Sequence, residues 1–406
     1  MKQFLLVCAS MLCVTIPAFA QTVDSKIPTS AILSADLIQT NAYRIAPEVS
    51  VRDHLFQFNV ETKYGTLQVA GLPLLEKRLS ELQAIEEIGT LGNETAAITS
   101  AWATLKETPR GAGHLLTDPM GTLSVASGGF GRMAANFIDP VARRTGSKTR
   151  RQLAANLGVD SETRNPVLDT LLDRMVARKF VGSTAAKLAL SAALPGLGTL
   201  SSLEEARQSI ATRSPHELVV DMDTELTRLG VWAPVKDAFL RNRSWTLLEK
   251  VAFVGFYRQL AGVQHADVML YLANQDTTES DILRRLIEMR LLTELQAKQK
   301  ILTISEAGLP IAWLADGQIV GVCSVDHLTN TKTVQDVAQG FRSANPDRNI
   351  TLFSTGWVSA EAGKTLDANK ITFLRPGSLN DAGNSCLLYT SPSPRDRTRS
   401  RMPSSA

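Results

Sequence analysis

Residues 278–374 constrain the fold most, because their hydrophobic period switches repeatedly between helix and strand. Thr278 opens a capping-box-like Thr-Glu-Ser-Asp, and Ile282, Leu283, Leu286, Ile287, Leu291 and Leu295 then recur at helical spacing, predicting an amphipathic helix to about Gln299. Residues 301–305 form a short apolar run. Residues 311–315 and 318–325 flank Asp316-Gly317, a pair suited to a two-residue type I′ hairpin turn, in which both positions need positive φ. Residues 334–343 read as helix, Asn345-Pro346 breaks it, and residues 350–354 read as strand. Ser359 opens a helix through Leu366, and residues 371–374 close the unit as a strand. The expected order is α-β-β-β-α-β-α-β.

This order resembles the catalytic fold of restriction endonucleases, in particular the methylated-DNA-restricting Mrr type. The text Ile350-Thr-Leu-Phe-Ser-Thr-Gly356, then Val358-Ser-Ala-Glu-Ala362, then Ile371-Thr-Phe-Leu374 is similar to that family's strand, small-residue turn, helix and closing strand. The resemblance covers residues 301–379. It implies a Mg²⁺ site made by an Asp of the second strand and a Gln or Glu of the third, with a Lys two residues later beside the phosphate. Here the third-strand pair falls on Cys323 and Val325, and the second strand carries no carboxylate, so the nuclease chemistry is absent. Asp316 and Asp326 are the acids left nearby. The turn explains Asp316 and a polar strand end explains Asp326. A divergent metal-dependent hydrolase using one of them is the alternative.

The two ends of the chain need separate treatment. Met1-Lys2, an apolar run over residues 4–14 and Ala18-Phe-Ala20 before Gln21 form a secretory signal peptide, expected to be cleaved after Ala20. Its core is too short for a stable membrane span. Neither Cys8 nor Cys13 lies in a lipoprotein site. Residues 386–406 back-translate into a transposase-type sequencing adapter followed by an index and primer, as in a metagenomic assembly, and are read as a non-native tail after an α/β unit that is itself open to truncation. The formal charge of the whole chain is +3, but this tail holds four Arg and one Asp. Without it there are 39 basic and 39 acidic residues, and loss of Lys2 with the leader leaves −1. That balance gives no general electrostatic case for nucleic acid or anionic lipid.

Residues 21–385 keep one cysteine, Cys323, so no intramolecular disulfide is expected and stability must come from core burial. Cys323 sits in a strand pattern and reads as a buried small hydrophobe rather than a reactive thiol. A Cys323/His327 dyad is excluded on a single strand, where residues four apart are about 13 Å from each other. None of His54, His114, His216, His265 and His327 stands in ligand or triad spacing, and no nucleophile elbow is present.

After a polar lead, residues 55–61 alternate with Phe56, Phe58 and Val60 on one face, and Tyr64-Gly65 turns into residues 66–69: an N-terminal hairpin. Its expected cover is a helix with Pro73 in the first turn and a stripe of Leu75, Leu79, Leu82, Ile85 and Ile88. A second helix is expected over residues 94–105. Residues 110–151 are rich in glycine. Gly128-Gly-Phe-Gly-Arg132 lacks the spacing of a nucleotide loop and reads as a flexible loop. Arg143, Arg144, Lys148, Arg150 and Arg151 form one basic patch, read as a solvated helix flank or a contact for lipid phosphates or an acidic partner.

Asn165-Pro166 caps a helix to about Phe180. Residues 181–200 are apolar but interrupted by Lys187 and Pro195-Gly196, and read as buried packing rather than a span. Ser214-Pro215 opens a helix in which His216-Glu217 is not a zinc motif, and Asp221, Asp223 and Glu225 form a wet face rather than a calcium loop. Helices follow over residues 232–240 and 244–262. The latter carries Trp245, Leu248, Ala252, Phe256 and Leu260, expected to pack against the Thr278 helix. Asp118-Pro119 with Gly121-Thr122, and Leu157-Gly-Val-Asp160 with Asn165-Pro-Val-Leu168, resemble uncharacterised exported bacterial proteins, over most of the chain after the leader.

The expected fold class is α+β. Its parts are a signal peptide (1–20), a hairpin-helix unit (21–108), a Gly/Arg-rich segment (109–164), an α-helical region (165–277), an α/β domain (278–385) and the tail (386–406). The expected function is that of a periplasmic or secreted, non-enzymatic interaction or scaffold protein with a protein partner in the cell envelope. No catalytic, cofactor or metal residue is assigned, and no general nucleic-acid binding or transmembrane span is expected. The alternatives are a divergent hydrolase of restriction-endonuclease-like fold and a peripheral membrane protein contacting lipid through residues 110–200.

Overall fold

A computed structural model describes residues 22–63, 65–92, 146–177 and 201–376, and the fold is mixed α+β. The 94–105 helix, the Gly128–Arg132 loop, Arg143, Arg144, the 181–200 run and both chain ends lie outside the described residues.

The N-terminal unit is larger than a hairpin. Strands β1 (Thr22–Pro28), β2 (Tyr43–Ile45), β3 (Glu48–Arg52), β4 (Leu55–Thr62) and β5 (Gly65–Ala70) form one antiparallel sheet, with a short helix α1 (Ala35–Ile38) between β1 and β2. β4 is central: β5 pairs with its residues Gln57 to Thr62, while β3 and β2 share its other side in succession. Phe56, Phe58 and Val60 are buried as their alternation requires. Helix α2 (Leu72–Gly92) covers this face with the predicted stripe from Leu75 to Ile88, all of it buried.

Helices α3 (Lys148–Asn156), α4 (Pro166–Ala177), α5 (Ser201–Thr212), α6 (Pro215–Arg228), α7 (Ala233–Arg241), α8 (Leu247–Gln259), α9 (Val268–Gln275) and α10 (Glu279–Lys298) follow. Their starts are chemically marked. The Asn165 side chain accepts from Val167 N at 3.1 Å, and Ser214/Glu217 and Thr246/Glu249 form complete capping boxes. Trp245, Leu248, Ala252, Phe256 and Leu260 are buried, and α8 packs against α10 as expected. Each fully buried large apolar side chain of this kind contributes about 1.5–3 kcal/mol.

In the C-terminal unit β6 (Ile301–Glu306), β7 (Pro310–Leu314) and β8 (Ile319–Cys323) form an antiparallel meander. β9 (His327–Leu328), α11 (Lys332–Ala344), β10 (Ile350–Ser354), β11 (Trp357–Val358), α12 (Ala360–Ala368) and β12 (Ile371–Leu374) complete it. The sheet order is β12-β10-β8-β7-β6, with β8, β10 and β12 parallel, and β9 pairs with β11 beyond the main sheet. α10 and the main core lie on one face, while Leu328, Ala338, Ile350, Ala362, Leu366 and Ile371 form a smaller core with α11 and α12. The main core is continuous from Ile32 in the N-terminal unit to Phe353 in β10.

The turn chemistry corrects the sequence reading. Asp316 does not have positive φ; only Gly317 does, at +89°. Gly317 N donates to Leu314 O, Leu314 N to Gln318 O, and Ala315 N is drawn to Lys300 O at 3.0 Å, so the loop has three residues rather than two. The two-residue turn with both φ positive lies instead at Asp53 (+51°) and His54 (+64°), between the paired residues Arg52 and Leu55.

Candidate functional site

In open α/β sheets ligands gather at the carboxyl ends of the parallel strands. Here that edge, beyond β8 and β10, holds Cys323, Asp326, His327, Ser354 and Trp357, and the Asp53-His54 turn is seated on it. Asp326 N and His327 N both donate to His54 O at 3.0 Å, and Thr329 N donates to His54 Nδ1 at 3.2 Å. Gly356 permits the return of the chain: a Cβ there would lie 2.2 Å from Val325 O and 2.6 Å from Asp326 O. Trp357 N then donates to Asp326 O at 2.9 Å.

Asp326 is not a solvated strand end. Its residue is 4% exposed, and its Oδ2 accepts from Phe56 N at 2.9 Å and from Leu72 N at 3.1 Å. Leu72 is the first residue of α2, so the carboxylate ties β4 and the start of that helix to the C-terminal unit. Burial pushes its pKa up to about 7, against the pull of the two N–H groups and Arg284. Asp316, the other candidate acid, is in the turn and accepts from Gln318 N at 3.0 Å, as the turn reading requires.

Burial also shifts the other titratable groups at this edge. Burial pushes the Cys323 thiol up to about 12, with a hydrogen bond to Ser354 acting the other way. Burial lowers the His327 pKa, and its ring lies 5.9 Å from that of Phe56, which is 5.7 Å from Trp357. The Arg375 guanidinium sits 5.0 Å from the Trp357 ring centre. β7 carries no carboxylate, and among the described residues no group of three or more His, Cys, Asp or Glu could hold a metal ion.

A second polar centre joins α2, α8, α10 and the loop before α4. Lys77 pairs with Glu249 at 3.2 Å and Glu279 at 2.7 Å; Arg78 pairs with Glu81 at 2.7 Å and with Glu279; Arg164 pairs with Glu249 at 3.1 Å. Thr163 Oγ1 donates to Glu81 at 2.7 Å. Burial acts to raise the Glu279 carboxyl, but Lys77, Arg78 and Arg164 outweigh it and hold it down to about 2. Burial raises Asp160 at the margin of this network, opposed by Lys77. Sequence inspection missed this centre because its partners are far apart in the chain.

The basic patch is corrected at two of its residues, while Lys148 is exposed. Arg150 is 5% exposed and pairs with Asp169 and Asp173, while Arg151 donates to Ile210 O at 3.0 Å and Gly146 O at 2.8 Å. Neither faces solvent, lipid or an acidic partner. On α6, Asp221, Asp223 and Glu225 pair separately with Arg213, Lys236 and Arg228. Among the described residues no helix is long and apolar enough to cross a membrane.

No protein family, curated protein or solved structure matches this chain.

Proposed function

We propose that this is an exported, non-enzymatic interaction or scaffold protein whose partner is another protein of the cell envelope. The single observation that supports this reading most is the use of Asp326. Asp326, a carboxylate buried at this edge of the C-terminal sheet, is engaged by Phe56 N and Leu72 N, two backbone groups of the N-terminal unit. A group holding two chain segments together is not free to bind a cation or to relay a proton. The leader over residues 1–20 supports export. The test is turnover by purified protein against a hydrolase substrate panel, with N-terminal sequencing of the exported form and cross-linking in the periplasm. The reading expects Gln21 as the first residue, a cross-linked protein partner and no turnover. Turnover abolished by a point change would overturn it.

With the short β9–β11 pair set aside, the main-sheet strands and helices of the C-terminal unit run α-β-β-β-α-β-α-β, which favours one second reading, a divergent restriction-endonuclease-like hydrolase. It predicts Mg²⁺- or Mn²⁺-dependent plasmid cleavage lost in Asp316→Ala or Asp326→Ala, and absence of cleavage retires it. Peripheral membrane binding through residues 110–200 predicts co-flotation with anionic liposomes at low salt; the burial of Arg150 and Arg151 weighs against it.

A further inference from the structure

We propose that the Asp53-His54 turn is an acid-operated latch: protonation of the His54 ring releases Thr329 N–H, frees the turn from residues 326–329 and uncovers the carboxyl ends of β8 and β10. This does not depend on the identity of the partner or on the absence of an activity.

The geometry fixes the protonation state of the closed form. A backbone N–H can only donate, so Thr329 N at 3.2 Å from His54 Nδ1 requires a lone pair on that nitrogen and places the ring proton on Nε2. Imidazolium carries a proton on both nitrogens and would set two N–H groups against each other. The Thr329 hydroxyl, 3.0 Å from the same nitrogen, can rotate to accept, but the amide cannot turn. Because Asp326 N and His327 N hang on His54 O, displacement of this one residue loosens both. The turn is also an easy element to release, since Asp53 and His54 both occupy the left-handed region, which L-residues rarely adopt.

The surrounding groups set the direction. Burial is the largest influence and lowers the His54 pKa; Arg284 from α10 and His327 from β9 add to it, while Asp53 in the turn opposes it. The ring is therefore neutral at neutral pH. A lowered histidine stabilises the closed form above its ordinary value of 6.5 and ceases to do so as the pH falls through the folded value. Asp326, from the segment between β8 and β9, acts in the opposite sense, because its raised carboxyl is protonated on acidification and can remain with Phe56 N and Leu72 N. The latch thus has a distinctive signature: the amides of residues 326–329 open in acid while those of Phe56 and Leu72 stay protected.

The experiment is hydrogen exchange on the full chain between pH 7 and pH 4, corrected for the intrinsic change of exchange with pH, in wild type and His54→Asn. Asn adopts the left-handed region readily, and its Oδ1 can take the Thr329 N–H without titrating. In wild type, protection of residues 326–329 should fall by up to about tenfold for each pH unit between the ordinary 6.5 and the lower folded value of His54, and level off below it, since one pKa unit is a factor of ten. In His54→Asn it should stay flat. Nitrogen NMR of the wild-type ring should show the neutral Nε2–H form at pH 7, with Thr329 N and the ring sharing one midpoint. This arm decides the matter even if the variant does not fold. An Nδ1–H ring at neutral pH, unchanged protection in wild type, or an equal loss in His54→Asn would each overturn the latch.

Discussion

Asp326 and Phe56 stand 270 positions apart in the sequence, yet the Oδ2 of one accepts the backbone N–H of the other at 2.9 Å. The bond joins the central strand of the N-terminal sheet to the segment that follows the central strand of the C-terminal one. Asp326→Ala leaves Phe56 N and Leu72 N buried without acceptors. At about 1–3 kcal/mol for each orphaned donor, the loss should be about 2–6 kcal/mol in urea denaturation. Asp326→Asn keeps one oxygen acceptor and should lose less. The variant also tests the titration. The folded value, about 7, lies above the ordinary 3.8, so the contribution to stability is full below 3.8 and is lost as the pH rises through 7. Wild type should therefore show a downward slope over this window, worth on the order of 4 kcal/mol, that Asp326→Asn lacks.

Glu279 should behave in the reverse sense. Its carboxyl is held at about 2 against an ordinary 4.5, so its contribution is present above 4.5 and disappears as the pH falls through 2. Glu279→Gln removes an acid-sensitive stabilisation of about 3 kcal/mol and leaves Lys77 and Arg78 short of a partner. Acid unfolding followed by circular dichroism should move to higher pH in this variant. An unmoved midpoint would mean that the network does not anchor α2 to α10.

Arg151→Ala separates the two interpretations of the basic segment. Loss of the bonds to Ile210 O and Gly146 O should cost about 2–4 kcal/mol, because hydrogen bonds to a charged group are worth about 1.5–3 kcal/mol each and partly recover in water. A lipid-facing arginine would instead leave the urea midpoint unchanged and reduce liposome co-flotation.

How much of this was legible beforehand depended on whether a signal was local. The Thr278 cap, the α10 stripe and the β10-α12-β12 succession all repeat within one element, and they appear where the periodicity places them. β3 escaped because five residues with only Val49 and Val51 turned inward carry too short an alternation to stand out from a polar lead. Residue preference points to Asp316-Gly317 for the type I′ turn, whereas the bond from Ala315 N to Lys300 O lengthens that loop. Asp53-His54, less favoured by composition, takes the conformation because His54 is fastened to residues 326–329. Arg150 and Arg151 looked like surface charges, since nothing in a sequence states that Asp169 or Ile210 O lies beside them. The candidate site follows the same rule: Asp326 was visible as an acid, but its bond to Phe56 was not.

Two glycines give the sharpest contrast in sign. At Gly356 a Cβ would stand 2.2 Å from Val325 O, and backbone on both sides, tied by the Trp357 N to Asp326 O bond, leaves no direction for relief. Gly356→Ala should destabilise by about 3 kcal/mol or more and loosen the β9–β11 pair, because overpacking against backbone exceeds the usual side-chain adjustment. Gly255 lies within α8, where a Cβ meets nothing within 4 Å. Gly255→Ala removes backbone freedom from the unfolded chain without a clash and should stabilise by about 0.5–1 kcal/mol. Thermal unfolding of the two variants beside wild type should therefore move in opposite directions. A Gly356→Ala midpoint equal to wild type would show that the backbone after β10 yields to a Cβ and that the seat of the His54 turn is not tightly built.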